Sequence, residues 1–456
     1  MKKIFIVGFI ALGLLSGCTK YLDVKTYGKA IPETSEEFAA LLHTHLNDID
    51  YGNIETLLDN PDALLDIEVI TDNFSLPLSL SGGRNLPKYI GSSLNDKQVR
   101  YEKIYAVIRD ANIIVDNMKS VANQGDKNVL GTAHALRAVA YYQLLKEYCE
   151  PYTTDDQAGL PIVRSFDMEE RPLRSSYGQT VAFIADEFEK ALTYDVKDDI
   201  YRYTADVVKA YQARFYFWIR EWEKASVLAK YIVDKYPLVR GKHYVDMIQS
   251  KHAKLENVLL KSYIYGGGNS DNSAVAAQNN ITQRPLSKNF TDLFVEKEKD
   301  IRYVLSFDEK RINNKVLNGR VRSAEFQLIL AESYAHLGKE DLALQAINKL
   351  RAHRIEDNID WTVATLPEVD AKSLITVDAE GKPISKLINS ILNERRKELY
   401  AEGDRFFELK RNGRPEFWSA DNGLKYTTEE YMYTFPLPRL DIEVVPGLVQ
   451  NKGYKY

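Results

Sequence analysis

The sequence predicts a mainly α fold made of tetratricopeptide-like helical hairpins, with long irregular loops and a few short strands on one side. Three observations predict it. Apolar residues recur every three or four positions over long stretches. One pattern of small residues and tyrosine occurs twice at matching offsets. Between the periodic stretches lie segments rich in Gly, Asn, Ser and Pro that have no helical period.

The chain starts with Lys2 and Lys3, followed by an uncharged apolar run from Ile4 to Leu15. That run is shorter than the ~20 residues of a bilayer-spanning helix. A basic head on a short apolar body reads as a secretory signal. It ends Leu15-Ser16-Gly17-Cys18, which resembles a bacterial lipobox and implies removal of residues 1–17 and lipid attachment at Cys18. Thr19-Lys20 is no recognisable acidic sorting signal, so the face of the membrane stays open. Acyl chains contribute about 0.8 kcal/mol per buried methylene, so a multiply acylated terminus is a firm tether. No later stretch reaches spanning length. Losing Lys2 and Lys3 takes the formal net charge from −5 to about −7. A mildly acidic chain without a basic block is a poor partner for nucleic acid. With Cys18 acylated, Cys149 has no disulfide partner, and stability rests on a large core.

Residues 97–240 read as scaffold. In "KQVRYEKIYAVIRDANIIVDNMK", Tyr101, Ile104, Ile108, Ala111, Val115 and Met118 form one apolar stripe. "HALRAVAYYQLLKEYCEPY" repeats the style with Leu136, Ala140 and Leu144, and Pro151 marks its stop. Ala213, Tyr216 and Ala225 then stand at offsets of three and nine, with Pro237 closing the second helix. Ala331, Tyr334 and Ala343 stand at the same offsets within the scaffold segment 319–354, and Gly338 lies where the two helices turn. Small residues are needed where paired helices approach closely, and the tyrosine fills the adjacent groove. A third copy begins at Ala138 and Tyr141 and breaks off before Pro151. The wide separation of the copies argues against a simple tandem solenoid. The last scaffold segment is 385–412, where Gly403 reads as a helix stop and Asp404 as the cap of the next helix.

Residues 60–95, 241–318 and 355–384 read as loop-rich, with one strand, Val258 to Ile264. Loops on a rigid scaffold are where binding sits. No catalytic pattern stands out. His43 and His45 point to different faces of a helix and carry no metal, and no twelve-residue acidic calcium loop is visible. The run Gly266-Gly267-Gly268 lacks the Lys and Ser/Thr of a phosphate loop. Glu394, Glu398 and Glu402 share a helical face and form the one candidate acid/base set. Arg395, Arg396, Lys397 and Arg405 around them favour ion pairs instead of a raised pKa. No cofactor is called for.

Several stretches together resemble the SusD/RagB-like outer-membrane lipoproteins of Bacteroidota. They are the lipobox with "CTKYLDV", "YEKIYAVIRDANIIVDNM", "ALRAVAYYQLLKEYCEPY…GLPIV", "SAEFQLILAESYAHLGKEDLALQAINKLRAHR", "ERRKELYAEGDRFFELKR" and "FPLPRLDIEVVPGLVQNKGY". Cys149 departs from the pattern, standing where a glycine is more usual. The resemblance implies a single domain over 18–456, with hairpins on one side and ligand-binding loops on the other. It implies a non-enzymatic surface binder that captures an oligosaccharide or polysaccharide and hands it to a SusC-like TonB-dependent transporter. Its membrane contact would be the lipid anchor alone. Peptide or another nutrient is the alternative ligand. A glycoside hydrolase using the glutamate stripe and a ligand-free repeat adaptor are the rivals from other classes.

Sugar sites stack rings on aromatic faces and bind hydroxyls through Asn, Asp, Arg and Lys. Asp72, Asn73, Phe74, Arg84 and Tyr89 form one such mixture, and Tyr263, Tyr265, Asn269, Asp271 and Asn272 form another. Trp361 stands alone in the third loop region. Trp218, Trp222 and Trp418 read as packing. The 29 tyrosines serve cores and sugar sites alike.

Overall fold

The computed structural model describes residues 32–51, 57–75, 86–87, 89–167, 169–251, 254–255, 257–262, 269–421 and 424–455. Cys18, and with it the lipobox, lies outside the described residues. Helices dominate. They are α1 (Ser35–Tyr51), α2 (Pro61–Val69), α3 (Leu94–Asn117), α4 (Gln124–Tyr148), α5 (Tyr177–Thr193), α6 (Ala205–Trp218) and α7 (Trp222–Lys235). There follow α8 (Gly241–Gln249), α9 (Asn269–Asn280), α10 (Ser323–His336), α11 (Glu340–Ala352), α12 (Lys386–Glu398) and α13 (Asp404–Arg411). Among the described residues there are also the short helices Lys288–Thr291, Ile301–Ser306 and Arg439–Val444 and three two-stranded antiparallel pairs: β1 (Ala158–Pro161) with β2 (Arg174–Ser176), β3 (Val258–Lys261) with β4 (Arg320–Arg322), and β5 (Phe417–Asp421) with β6 (Leu424–Thr428). No helix among the described residues is long and apolar enough to cross a membrane.

Helix starts follow local chemistry. Asn123 and Asp126 form a reciprocal capping box on α4, and Ser176 and Gln179 form another on α5. Asn60 caps α2 ahead of Pro61, a residue whose fixed φ suits the first turn. The stripe read on α3 is buried at Tyr101, Ile104, Ile108 and Ala111. Cys149 ends α4 at φ −111°, a conformation that does not call for glycine, and is a free, buried thiol.

The repeat signature is the contact geometry of two hairpins. Helices α6 and α7 pack together, as do α10 and α11. Ala213, Ala225, Ala331 and Ala343 are all fully buried, while Tyr216 and Tyr334 pack half-buried against the core. Gly338 turns the second hairpin at φ +69°, and Arg220 takes the same left-handed turn at φ +65° in the first. The copies are distant in sequence, yet α7 packs directly on α10. Residues 241–318 are thus inserted between neighbours in space. The pairing β3–β4 closes that insertion, Val258 lying opposite Arg322.

Two expectations are corrected. The Gly/Asn/Ser-rich stretch after 262, read as loop, contains helix α9. Its apolar period is short, but Ala277 and Ile281 are fully buried, and α9 packs on α2. The Gln278 amide also pairs with Lys315 O at 3.0 Å and with Leu317 N at 3.0 Å. Tertiary contacts hold a helix that propensity does not announce. At the other corner, α12 has already ended at Glu398 before Gly403, which sits at φ +79° as the residue preceding α13. Asp404 does not cap. Its carboxylate takes Arg395 Nε at 2.8 Å.

Candidate ligand-binding surface

The first loop mixture divides. Asn73 and Phe74 lie inside the protein, and the Asp72 carboxylate is mostly covered. Arg405 grips Asp72 with Nε and Nη2, each at 2.8 Å, and Arg396 Nη2 adds a contact at 3.1 Å. Burial raises the Asp72 pKa, but the two guanidiniums more than offset it and hold the carboxyl well below its usual range. Arg396 Nε also donates to Asn73 Oδ1 at 2.7 Å, and Asn73 is fully buried. Phe74 pairs with Leu286 in an isolated bridge, its ring 6.3 Å from that of Tyr400. Asp72 and Asn73 tie the loop to α12 and α13, and their polar groups are engaged by arginines of the protein itself. Composition gave them as a sugar-binding mixture because it does not reveal that the matching arginines sit more than 300 residues away.

The glutamate stripe is also internal. Arg302 Nη2 lies 2.7 Å from Glu394, and Lys397 Nζ lies 2.5 Å from it. Arg354 binds Glu398 through two nitrogens at 2.9 Å, and Arg322 Nη1 approaches it at 2.6 Å. Arg322 also bridges to Glu402, which Lys315 Nζ contacts at 2.9 Å. Burial by itself would raise these carboxyls. The surrounding cations win, holding Glu394 and Glu402 at about 2 and Glu398 well below its ordinary value. None of the three keeps the proton that a general acid needs at neutral pH.

Tyr89 takes a different place. Its ring lies 5.2 Å from that of Tyr426 on β6, tilted by 34°. Nearby, Tyr431 packs edge-on to Tyr454 at 5.1 Å. On the opposite face of the same hairpin, Trp418 of β5 is 51% exposed, with Lys425 Nζ 5.5 Å from its ring centroid. The expectation that Trp418 serves packing is corrected. In a two-stranded hairpin, alternate residues face away from the body with nothing above them. A sequence signal for this exists: Asn422-Gly423 stands between two short alternating segments, a hairpin pattern.

Trp361 lies in its own groove on α11, lined also by Asp341, Gln345, Lys349 and Asp360. Asn269, Asp271 and Asn272 fall in the first turn of α9. Arg84, Tyr263 and Tyr265 lie outside the described residues. Among the described residues there is no group of three His, Cys, Asp or Glu placed to hold a metal. His45 is taken by Asp110 at 2.9 Å, and the His43 ring stands against Tyr201.

The sequence profile of the SusD family matches residues 137–454. This chain belongs to the SusD family. A second profile, described as starch-binding associating with outer membrane, matches residues 20–217. No curated protein matches. Solved structures share the fold at low identity. A SusD superfamily protein from Bacteroides vulgatus ATCC 8482 superposes with a TM-score of 0.70 at 18% identity, covering 93% of this chain and 100% of its own. A SusD superfamily protein from Bacteroides thetaiotaomicron VPI-5482 gives 0.67 at 18%, covering 92% and 99%. A SusD-like carbohydrate binding protein from B. vulgatus ATCC 8482 gives 0.65 at 18%, covering 91% and 98%. At such identities the likeness is one of fold. In this SusD-family chain the motif around Glu394–Glu402 is a structural one, its carboxylates held by buried cations.

Proposed function

We propose that this SusD-family chain is a lipid-anchored outer-membrane protein at the cell surface that binds an oligosaccharide or polysaccharide and delivers it to a SusC-like TonB-dependent transporter, without cleaving it. The observation that carries the ligand class is the exposed Trp418 on a hairpin whose other face holds the Tyr89–Tyr426 pair, in a chain that both profiles place among SusD-like proteins. An aromatic ring takes up the apolar face of a sugar, and the Lys425 ammonium stands ready to donate to a hydroxyl. Tethering through Cys18 rests on the lipobox, and the transporter partnership rests on family membership. The hydrolase reading loses its candidate residues to the arginine cage around Glu394, Glu398 and Glu402.

The test is isothermal titration of the purified full-length protein in mild detergent against polysaccharides, oligosaccharides and peptides. Heat with one glycan class, reduced in Trp418→Ala, supports the reading. Heat with peptides alone overturns the ligand class, and release of reducing ends from a bound glycan overturns the non-enzymatic assignment.

A further inference from the structure

Trp361 is held more rigidly than a half-exposed side chain requires. Its backbone N–H donates to Asn348 Oδ1 at 2.9 Å, and its carbonyl accepts from Asn348 Nδ2 at 2.8 Å. One amide on α11 thus staples the irregular segment to the helix. The Arg351 guanidinium lies 3.6 Å from the indole centroid. Arg351 is itself buried and fixed by Glu296 at 3.0 Å and Glu394 at 3.2 Å. The ring is therefore fastened to the buried ion network from beneath, which lowers the entropy lost when a ligand settles on it.

The ring faces a groove of about 530 Å3, within the ~300–1,000 Å3 of small-ligand clefts. Asp341, Gln345 and Lys349 stand four residues apart along the exposed face of α11, so they line one wall in register. Among the described residues none of these three side chains has a hydrogen-bond or ion-pair partner, and nothing accepts from the Trp361 indole N–H. The groove thus offers a fixed aromatic ring, an acceptor, an amide and an ammonium donor. Alternating donors and acceptors beside a flat apolar face suit a neutral, hydroxyl-rich ring. A strongly anionic ligand would meet Asp341 and Asp360, and a strongly cationic one would meet Lys349.

We propose that the Trp361 groove is a second carbohydrate-binding site, separate from the hairpin that bears Trp418, so that one chain grips a polymeric glycan at two points. The two places share no residue and no secondary-structure element. The inference rests on the carbohydrate reading above. Two weak sites on one polymer bind far more tightly than either alone, because the second contact is intramolecular.

The experiment is affinity electrophoresis of the purified full-length protein in native gels containing amylopectin, xylan, galactomannan or polygalacturonate. The polysaccharide that retards the wild type is then used on variants. Trp361→Ala is expected to weaken retention about tenfold, and so is the exposed pair Asp341→Ala/Gln345→Ala, which touches no core contact. Titration with a short oligosaccharide of the same linkage is expected to give two sites per wild-type chain and one after Trp361→Ala. Wild-type retention by the Asp341→Ala/Gln345→Ala variant, or a single oligosaccharide site in the wild type, overturns the second site and leaves the Trp418 reading standing. Failure of all four polysaccharides to retard the wild type overturns both.

Discussion

The corner around α12 and the β5–β6 hairpin use polar chemistry in opposite ways. At the corner, Glu394, Glu398 and Glu402 lie buried, each against two or more cations. On the hairpin, Trp418 stands half in water with one lysine beside it. The corner holds many charges and leaves them no freedom to react. The hairpin holds few, and they remain available. A dense run of charged residues therefore marks the framework here, and the sparse aromatic hairpin is the surface proposed to meet a ligand.

The most severe test of that contrast is Glu398→Ala. It strands Arg354, Arg322 and Arg302 in the interior, and removing one partner of a buried ion cluster typically costs about 3–5 kcal/mol. Denaturant unfolding reads this, and a loss under ~1 kcal/mol would break the comparison. The same cluster sets the acid limit. Glu394 and Glu402 titrate at about 2 when folded, below their ordinary value. Their stabilisation is present above pH ~4.5 and is lost as pH falls toward 2, which a melting series in acid detects.

Glu68 sharpens the contrast from within the framework. Burial pushes its carboxyl up to about 7, despite the Gly403 N–H at 2.9 Å. A raised folded pKa means stability present below pH ~4.5 and lost as pH rises through about 7. Glu68→Gln is expected to stabilise the protein by on the order of 2–3 kcal/mol at pH 8 and to change little at pH 4.5. Equal melting shifts at both pH values would refute the assignment.

On the exposed side, Trp418→Ala should weaken glycan binding about tenfold, near 1.4 kcal/mol, while moving stability by less than ~0.5 kcal/mol. A large drop in melting temperature would make Trp418 a packing residue after all. The smallest effect belongs to the scaffold turn. Gly338 stands at φ +69° with nothing within 4 Å of a built Cβ, so Gly338→Ala is expected to cost about 1 kcal/mol through backbone strain alone.

Several parts were legible from the sequence because their cause is local. The stripe on α3 and the Ala-Tyr-Ala offsets of the two hairpins follow from helical period and close helix approach. Ion pairing of the glutamate stripe was also legible in kind. Its partners were not: only Lys397 is a sequence neighbour, whereas Arg302, Arg322, Arg351 and Arg354 come from other segments. The site was least legible. Asp72, Asn73 and Phe74 have a composition that suits a sugar site, but Arg396 and Arg405 engage Asp72 and Asn73, and Phe74 is buried.

By itself, the sequence determined the helical period and the repeat contacts, both set by residues within a few turns of one another. Only the tertiary structure decided that the separated repeats are neighbours, that α9 is a helix and that Trp418 faces outward. Those outcomes depend on which distant surfaces meet, and the free energy of burying a side chain is fixed by the partner that covers it.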